Sequence, residues 1–132
     1  MSKYLVDTHI LLWAFCDPQK ISKQIQEVLT NGENDIYYSP INLWEIAIKY
    51  QLKKLNIGGL KPEEFYKEVK ASFFQCLPLD ESNIITSYQL PMYHKDPFDR
   101  ALVWEAIQKS LVLLSTDSFS DSYINDGLMV IH

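Results

Sequence analysis

Asp7 and Asp117 each close a short apolar run rich in β-formers, Tyr4-Leu5-Val6 and Leu111-Val112-Leu113-Leu114-Ser115-Thr116. An Asp in that setting either caps the helix that follows or presents its carboxylate at a strand end. Glu45 has Ile41, Ile48 and Leu52 at −4, +3 and +7, so on a helix its carboxylate shares a face with aliphatic side chains. A charge there must be paired or bound to a cation, because burying it alone is too costly. The other reading of Glu45 is a solvated i,i+4 pair with Lys49. In Asp96-Pro97-Phe98-Asp99-Arg100, Asp96 precedes a proline and reads as an N-cap. That leaves Asp99, in the first helical turn, as the better ligand. Carboxylate oxygens without thiolate or imidazole partners suit Mg²⁺ or Mn²⁺ rather than zinc. Phosphoryl transfer is the chemistry such ions support at acid clusters. Arg100 pairs with an acid or touches phosphate in this reading. His94, alone in the loop before the cap, reads as structural, His9 and His132 stand too isolated for a role to be assigned, and Asp80, Asp121 and Asp126 read as caps or surface.

The elements that must position these groups alternate. Strands are predicted over Tyr4–Val6, Ile36–Tyr38, Phe73–Leu77, Leu111–Ser115 and Leu128–Ile131, each a short continuous apolar run. Between them fall helical patterns: one through Leu11–Ala14, one with Ile21, Ile25, Val28 and Leu29, and one opened by Ser39-Pro40 and running to about Leu52. Three more cover Pro62 to about Ala71, a short stretch up to about Leu90, and a helix from Asp96-Pro97. Continuous apolar strands alternating with helices imply a parallel sheet covered on both faces, a three-layer α/β fold. Ligands of such sheets sit beyond the carboxyl ends of the strands. Asp7, Asp99 and Asp117 arrive at that edge from separate stretches of chain.

The 132 residues are one domain's length, so a single domain over 1–132 is expected. A hydrophobic fraction of 47% with six Phe, three Trp and eight Tyr excludes a disordered chain, and no apolar run approaches the length of a membrane span. The acid at position 7 interrupts the stretch a secretory signal needs, so a cytoplasmic address is expected. Two cysteines, Cys16 and Cys76, without a CxxC spacing make a disulfide scaffold or structural zinc site improbable. The formal net charge of −5 does not exclude a nucleic-acid partner, since four acids gathered in a cation site account for most of it.

Four strings together resemble the PIN-domain ribonucleases, and within them the VapC-like toxins of bacterial toxin–antitoxin pairs. They are Leu5-Val6-Asp7-Thr8-His9, Leu43-Trp44-Glu45-Ile46-Ala47-Ile48-Lys49, His94-Lys95-Asp96-Pro97-Phe98-Asp99-Arg100 and Leu114-Ser115-Thr116-Asp117. They occur in family order and span nearly the whole chain. The resemblance implies a parallel sheet of order 3-2-1-4-5 and a Mg²⁺-dependent endoribonuclease in which Mn²⁺ substitutes. It places the family's acidic quartet on Asp7, Glu45, Asp99 and Asp117, with Thr116 and Thr8 as polar neighbours of the metal. It further implies an RNA substrate, a homodimer and inhibition by a small antitoxin. Lys49 and Arg100, with Lys53 and Lys54, are candidate RNA contacts.

Two other enzyme classes fit less well. A haloacid-dehalogenase-type phosphatase needs a second Asp two residues after the first, where this chain has His9. A dinucleotide site needs a glycine-rich turn after strand one, and Thr8-His9-Ile10-Leu11 has no glycine. A non-catalytic RNA-binding or scaffold module on the same fold is the reading from a different class.

Overall fold

The computed structural model describes residues 2–132. Five strands, β1 (Lys3–Val6), β2 (Asp35–Tyr38), β3 (Gln75–Cys76), β4 (Val112–Leu114) and β5 (Met129–Ile131), form one sheet in the order β3-β2-β1-β4-β5. Every pairing is parallel. The central strand β1 sets Leu5 opposite Tyr37 and Leu113, and Val6 opposite Leu114. All strand ends that precede a helix therefore lie on one edge.

Alternation along the strands divides the core into two faces. Val6, Ile36, Tyr38 and Leu114 pack with Ile10, Leu11 and Ile25 from α1 (Thr8–Cys16) and α2 (Lys23–Thr30), and with Phe65 and Val69 from α4 (Pro62–Lys70). Leu5 and Leu113 face the other way, onto Leu102, Val103 and Ala106 of α6 (Pro97–Lys109) and onto Tyr123. The helix α3 (Pro40–Gln51) contributes Ile46 to the first core and Ile41 to the second, and packs against α1, α4 and α6. It thus sits across the sheet edge rather than on one face. The short helix α5 (Glu81–Thr86) lies against α6. Among the described residues no helix is long and apolar enough to cross a membrane.

One strand departs from the sequence expectation and one helical run adds to it. The third strand, expected over Phe73–Leu77, is a ladder of only Gln75 and Cys76 at the sheet edge. Of the remaining apolar residues of the run, Phe74 and Leu77 are buried outside the strand and Phe73 is exposed. Residues 118–126, to which the sequence reading assigned no element, wind as a 3-10 run. Gly127 ends it at φ 102, a left-handed conformation that favours glycine, and donates its N–H back to Ile124 and Tyr123.

Candidate active site

Asp7 is both the cap and the strand-end acid. Its backbone N–H continues the β1–β4 ladder by donating to Leu114 O at 2.9 Å. Its Oδ1 accepts from Ile10 N at 2.9 Å, capping α1, and its Oδ2 accepts from Thr116 N at 2.9 Å. The side chain is only 5% exposed, and burial pushes its carboxyl above the usual aspartate range despite those two N–H donors. Thr116 also brings its hydroxyl to 3.5 Å from the same Oδ2.

Glu45 reconciles its two sequence readings. It is buried, 2% exposed, and it is also the partner of Lys49, whose ammonium donates to Oε2. Thr8 Oγ1 donates to the other oxygen, Oε1. The threonine hydroxyl in turn accepts from Asn42 Nδ2 at 3.1 Å, and the same amide reaches Val6 O at 3.3 Å. Asn42 Oδ1 accepts from Ser39 N at 2.7 Å, while Ser39 Oγ accepts from Ile41 N at 3.1 Å, closing a capping box on α3. Asn42 therefore fixes the start of α3 against the end of β1. Sequence reasoning passed over it; the readable signal was its place three residues after Ser39, the reciprocal position of a capping box.

Asp96 and Asp99 separate as their positions suggested. Asp96 Oδ1 accepts from Phe98 N at 2.9 Å and from Asp99 N at 3.0 Å, so it caps α6. Asp99 Oδ2 is 2.8 Å from His94 Nε2. Burial above all, then the neighbouring Asp96 and Glu45, pushes its carboxyl up to about 6 against the pull of His94. Burial alone would depress the Lys49 ammonium, but Glu45, Asp96 and Asp99 together hold it above the ordinary lysine value. One lysine thus faces three acids.

His94 is not the isolated structural residue the sequence suggested. Besides meeting Asp99, its ring stacks on Phe119 at 4.3 Å, and its backbone N–H donates to Tyr123 Oη at 3.1 Å. Of the two roles read for Arg100, the acid pair does not form among the described residues. Its guanidinium donates to the carbonyls of Leu90 and Pro91, at 3.0 and 2.9 Å, and so moors the loop before α6. Asp117 is exposed and its side chain caps nothing; it follows Thr116 at the end of β4. His132, also read as isolated, lies 2.7 Å from Asp121 and 3.1 Å from Ser115 O. Lys53 and Lys54 are exposed just beyond α3.

The fold thus gathers Glu45, Asp96 and Asp99 around Lys49, and Asp7 with Thr116 at the strand ends, the two groups being joined through Thr8. Asp117 borders the second group. Among the described residues, no three His, Cys, Asp or Glu side chains are arranged to hold a metal ion as they stand. The donor chemistry nonetheless fits a hard divalent cation. The candidate donors are carboxylate oxygens, and two of them, Asp7 and Asp99, are held above the usual carboxylate range, as expected of buried acids short of positive charge.

A PIN domain family model matches residues 4–119. This chain belongs to the PIN domain family. Solved PIN-like structures superpose over nearly the full length at low identity. A crystal structure of DNA-bound VapBC from Salmonella typhimurium matches at TM-score 0.69 and 19% identity, covering 99% of this chain and 98% of the other. FitAcB from Neisseria gonorrhoeae gives TM-score 0.68 and 20% identity over 98% and 96% of the two chains. VapBC-5 from Mycobacterium tuberculosis, described as a member of the VapBC family of toxin–antitoxin systems, gives 0.67 and 11% over 100% and 99%. Comparison with curated proteins returns no match. The PIN-domain resemblance in the sequence is thus borne out in family and fold, including the sheet order 3-2-1-4-5.

Proposed function

We propose that this PIN domain, a single domain over residues 1–132, is a Mg²⁺-dependent endoribonuclease and the toxin of a toxin–antitoxin pair. The observation that carries the reading is the buried join between the strand-end acid and the helix acids. Asp7 is locked to Thr116, Thr8 connects the β1 end to Glu45, and Glu45 crowds Asp99. Nothing in the packing of the sheet calls for carboxylates gathered at its ligand-binding edge.

Asp7, Glu45, Asp99 and Asp117 are the groups that would hold the ion, and Mn²⁺ would serve in its place. The chemistry a divalent ion supplies at such a site is activation of water and neutralisation of phosphate charge during in-line displacement. The chain's own residues do the rest. Backbone N–H groups of Ile10 and Thr116 hold Asp7 in one orientation, so its oxygens need no reorganisation when substrate arrives. Thr8 and Lys49 hold Glu45, and His94 holds Asp99. Lys49, part-exposed beside three acids, is the cation best placed to meet a backbone phosphate. Arg100 acts on the site by fixing the loop that carries His94.

The solved structures of like fold include toxin–antitoxin complexes, which supports a small antitoxin as partner. A homodimer and a cytoplasmic address complete the proposal. The test is cleavage of total RNA by purified protein with Mg²⁺ and with EDTA. Cleavage should need Mg²⁺, and Asp7→Asn, Glu45→Gln and Asp117→Asn should each lower it by orders of magnitude while the protein stays folded. RNA binding without cleavage, or wild-type rates in any two variants, would refute the enzyme. Induced expression should arrest bacterial growth, and unaffected growth with soluble intact protein would refute the toxin.

A further inference from the structure

Asp99 and Asp117 stand on different elements, α6 and the end of β4, and one short segment touches the supports of both. It is the 3-10 run over residues 118–126, which begins directly after Asp117. Ser120 Oγ donates to the Asp117 carbonyl at 3.0 Å, and Ser115 Oγ accepts from Asp117 N at 3.2 Å. Both serines are fully buried. The backbone of Asp117 is therefore held from either side, although the residue itself is exposed.

The same run reaches the other acid through His94. Tyr123 is fully buried and its hydroxyl stands among three groups. It donates to Pro91 O at 2.8 Å and accepts from His94 N at 3.1 Å, with Arg100 Nη1 at 3.4 Å. Those contacts use the one donor and both lone pairs of a phenol. Phe119 lies against the His94 imidazole, the ring centroids 4.3 Å apart and the planes 19° from parallel. Two residues of the run thus fix the backbone and the ring of His94, whose Nε2 is 2.8 Å from Asp99 Oδ2. Of residues 92–95, His94 alone is not exposed, and it is the one that meets an acid.

A carboxylate binds a divalent ion well only if it is kept from turning away, and the groups that orient it matter nearly as much as the ligands. We propose that Phe119 and Tyr123 are positioning residues of the cation site. They preset His94 and through it Asp99, while Ser120 presets Asp117, so one segment sets two of the four acids relative to each other. The assignment rests on the reading of Asp99 and Asp117 as metal ligands, and it gives the run itself no contact with metal or RNA.

The probe is Mn²⁺ alone, titrated into the full chain without RNA. Free Mn²⁺ is read by electron paramagnetic resonance, and folding by circular dichroism. His94→Leu should weaken Mn²⁺ binding by about 10–100-fold, the usual cost of removing a group that orients a ligand. His94→Gln, whose amide nitrogen can take the place of Nε2, should restore most of it. Tyr123→Phe, which removes only the hydroxyl, and Phe119→Leu should each weaken binding in the same direction in protein that is still folded. A residue that merely supports the fold would lower the melting temperature and leave the Mn²⁺ affinity of the folded molecules unchanged. That result in both Tyr123→Phe and Phe119→Leu overturns the proposal. So does a His94→Gln variant that binds Mn²⁺ like wild type yet cuts RNA no better than His94→Leu, because the imidazole would then act in the chemistry itself. Wild-type protein that binds no Mn²⁺ overturns the cation site and the proposal together. The expected order of Mn²⁺ affinities without cleavage of any RNA would refute the nuclease and uphold the positioning role.

Discussion

Asp96 and Asp99 lie three residues apart on the same helix start, and the structure assigns them separable consequences. Asp96 receives two backbone N–H groups at the first turn of α6. Replacing it with alanine removes a cap, a loss of about 0.5–2 kcal/mol. For 132 residues, each kcal/mol corresponds to about 3–4 °C in Tm, so Asp96→Ala should melt about 2–7 °C lower. Asp96→Ser, which keeps an acceptor, should change little. Asp99 has the opposite balance. Its carboxyl is pushed up to about 6 from an ordinary 3.8, so the native state holds this proton more tightly than the unfolded chain does. That contribution to stability is present at low pH and is lost as pH rises from about 4 through about 6. At pH 7.5 the ionised carboxylate then destabilises the metal-free fold by about 2–3 kcal/mol. Asp99→Asn retains an acceptor for His94 and removes the charge, so with EDTA it should melt several degrees above wild type. Mg²⁺ should raise the wild-type Tm by mass action and the Asp99→Asn Tm less. RNA cleavage completes the dissociation: folded Asp96→Ala still cuts, and Asp99→Asn does not. The reasoning fails if Asp96→Ser is inactive while Asp99→Asn cuts like wild type, or if EDTA melts of wild type and Asp99→Asn coincide at pH 7.5.

Two further outcomes are expected. Thr8→Val leaves Glu45 Oε1 and Asn42 Nδ2 without the hydroxyl between them, so it should lower stability by about 1–3 kcal/mol and RNA cleavage by at least tenfold. Thr8→Ser should restore both, and a Val variant with wild-type melting and rates would show that the hydroxyl positions nothing. The Asp121 contact raises the pKa of His132 above its ordinary 6.5, although burial opposes it and Ser115 O adds to it. A histidine raised in the folded state stabilises fully below its unfolded value, and the stability is lost as pH rises through the folded one. Urea unfolding from pH 5.5 to 8.5 should therefore show a decline beginning above 6.5 that His132→Asn flattens.

What was legible in the sequence was local. Asp96 before Pro97 announced a cap, and a cap is a contact over three residues. Ser39-Pro40 announced the start of α3, and short apolar runs announced four of the five strands nearly to their ends. The burial of Glu45 could be read from its aliphatic helix neighbours, because a helix face is fixed by spacing alone. The remainder depended on contacts that spacing does not encode. Thr8 meets Glu45 across 37 positions, and His132 meets Asp121 only because β5 returns beside β4. Arg100 offered the same ambiguity in sequence that Lys49 did, and the carbonyls that claim its guanidinium belong to a loop with no readable shape. The third strand was overextended because Phe74 and Leu77 are apolar for burial rather than for pairing.

The hydrogen bond from Thr116 to Asp7 spans 109 residues, and this has a consequence for the chain while it is being made. Asp7 is translated 109 residues before Thr116, so its locked orientation waits for β4 and for Thr116 beyond it. At about 5–20 residues per second, that interval lasts about 5–20 seconds. Until β4 is made, β1 can pair only with β2, and the acids cannot take up their final arrangement. An unfinished or prematurely released chain is therefore inert by topology alone. A cell translating this message has those seconds, and every aborted copy, free of whatever the finished protein does.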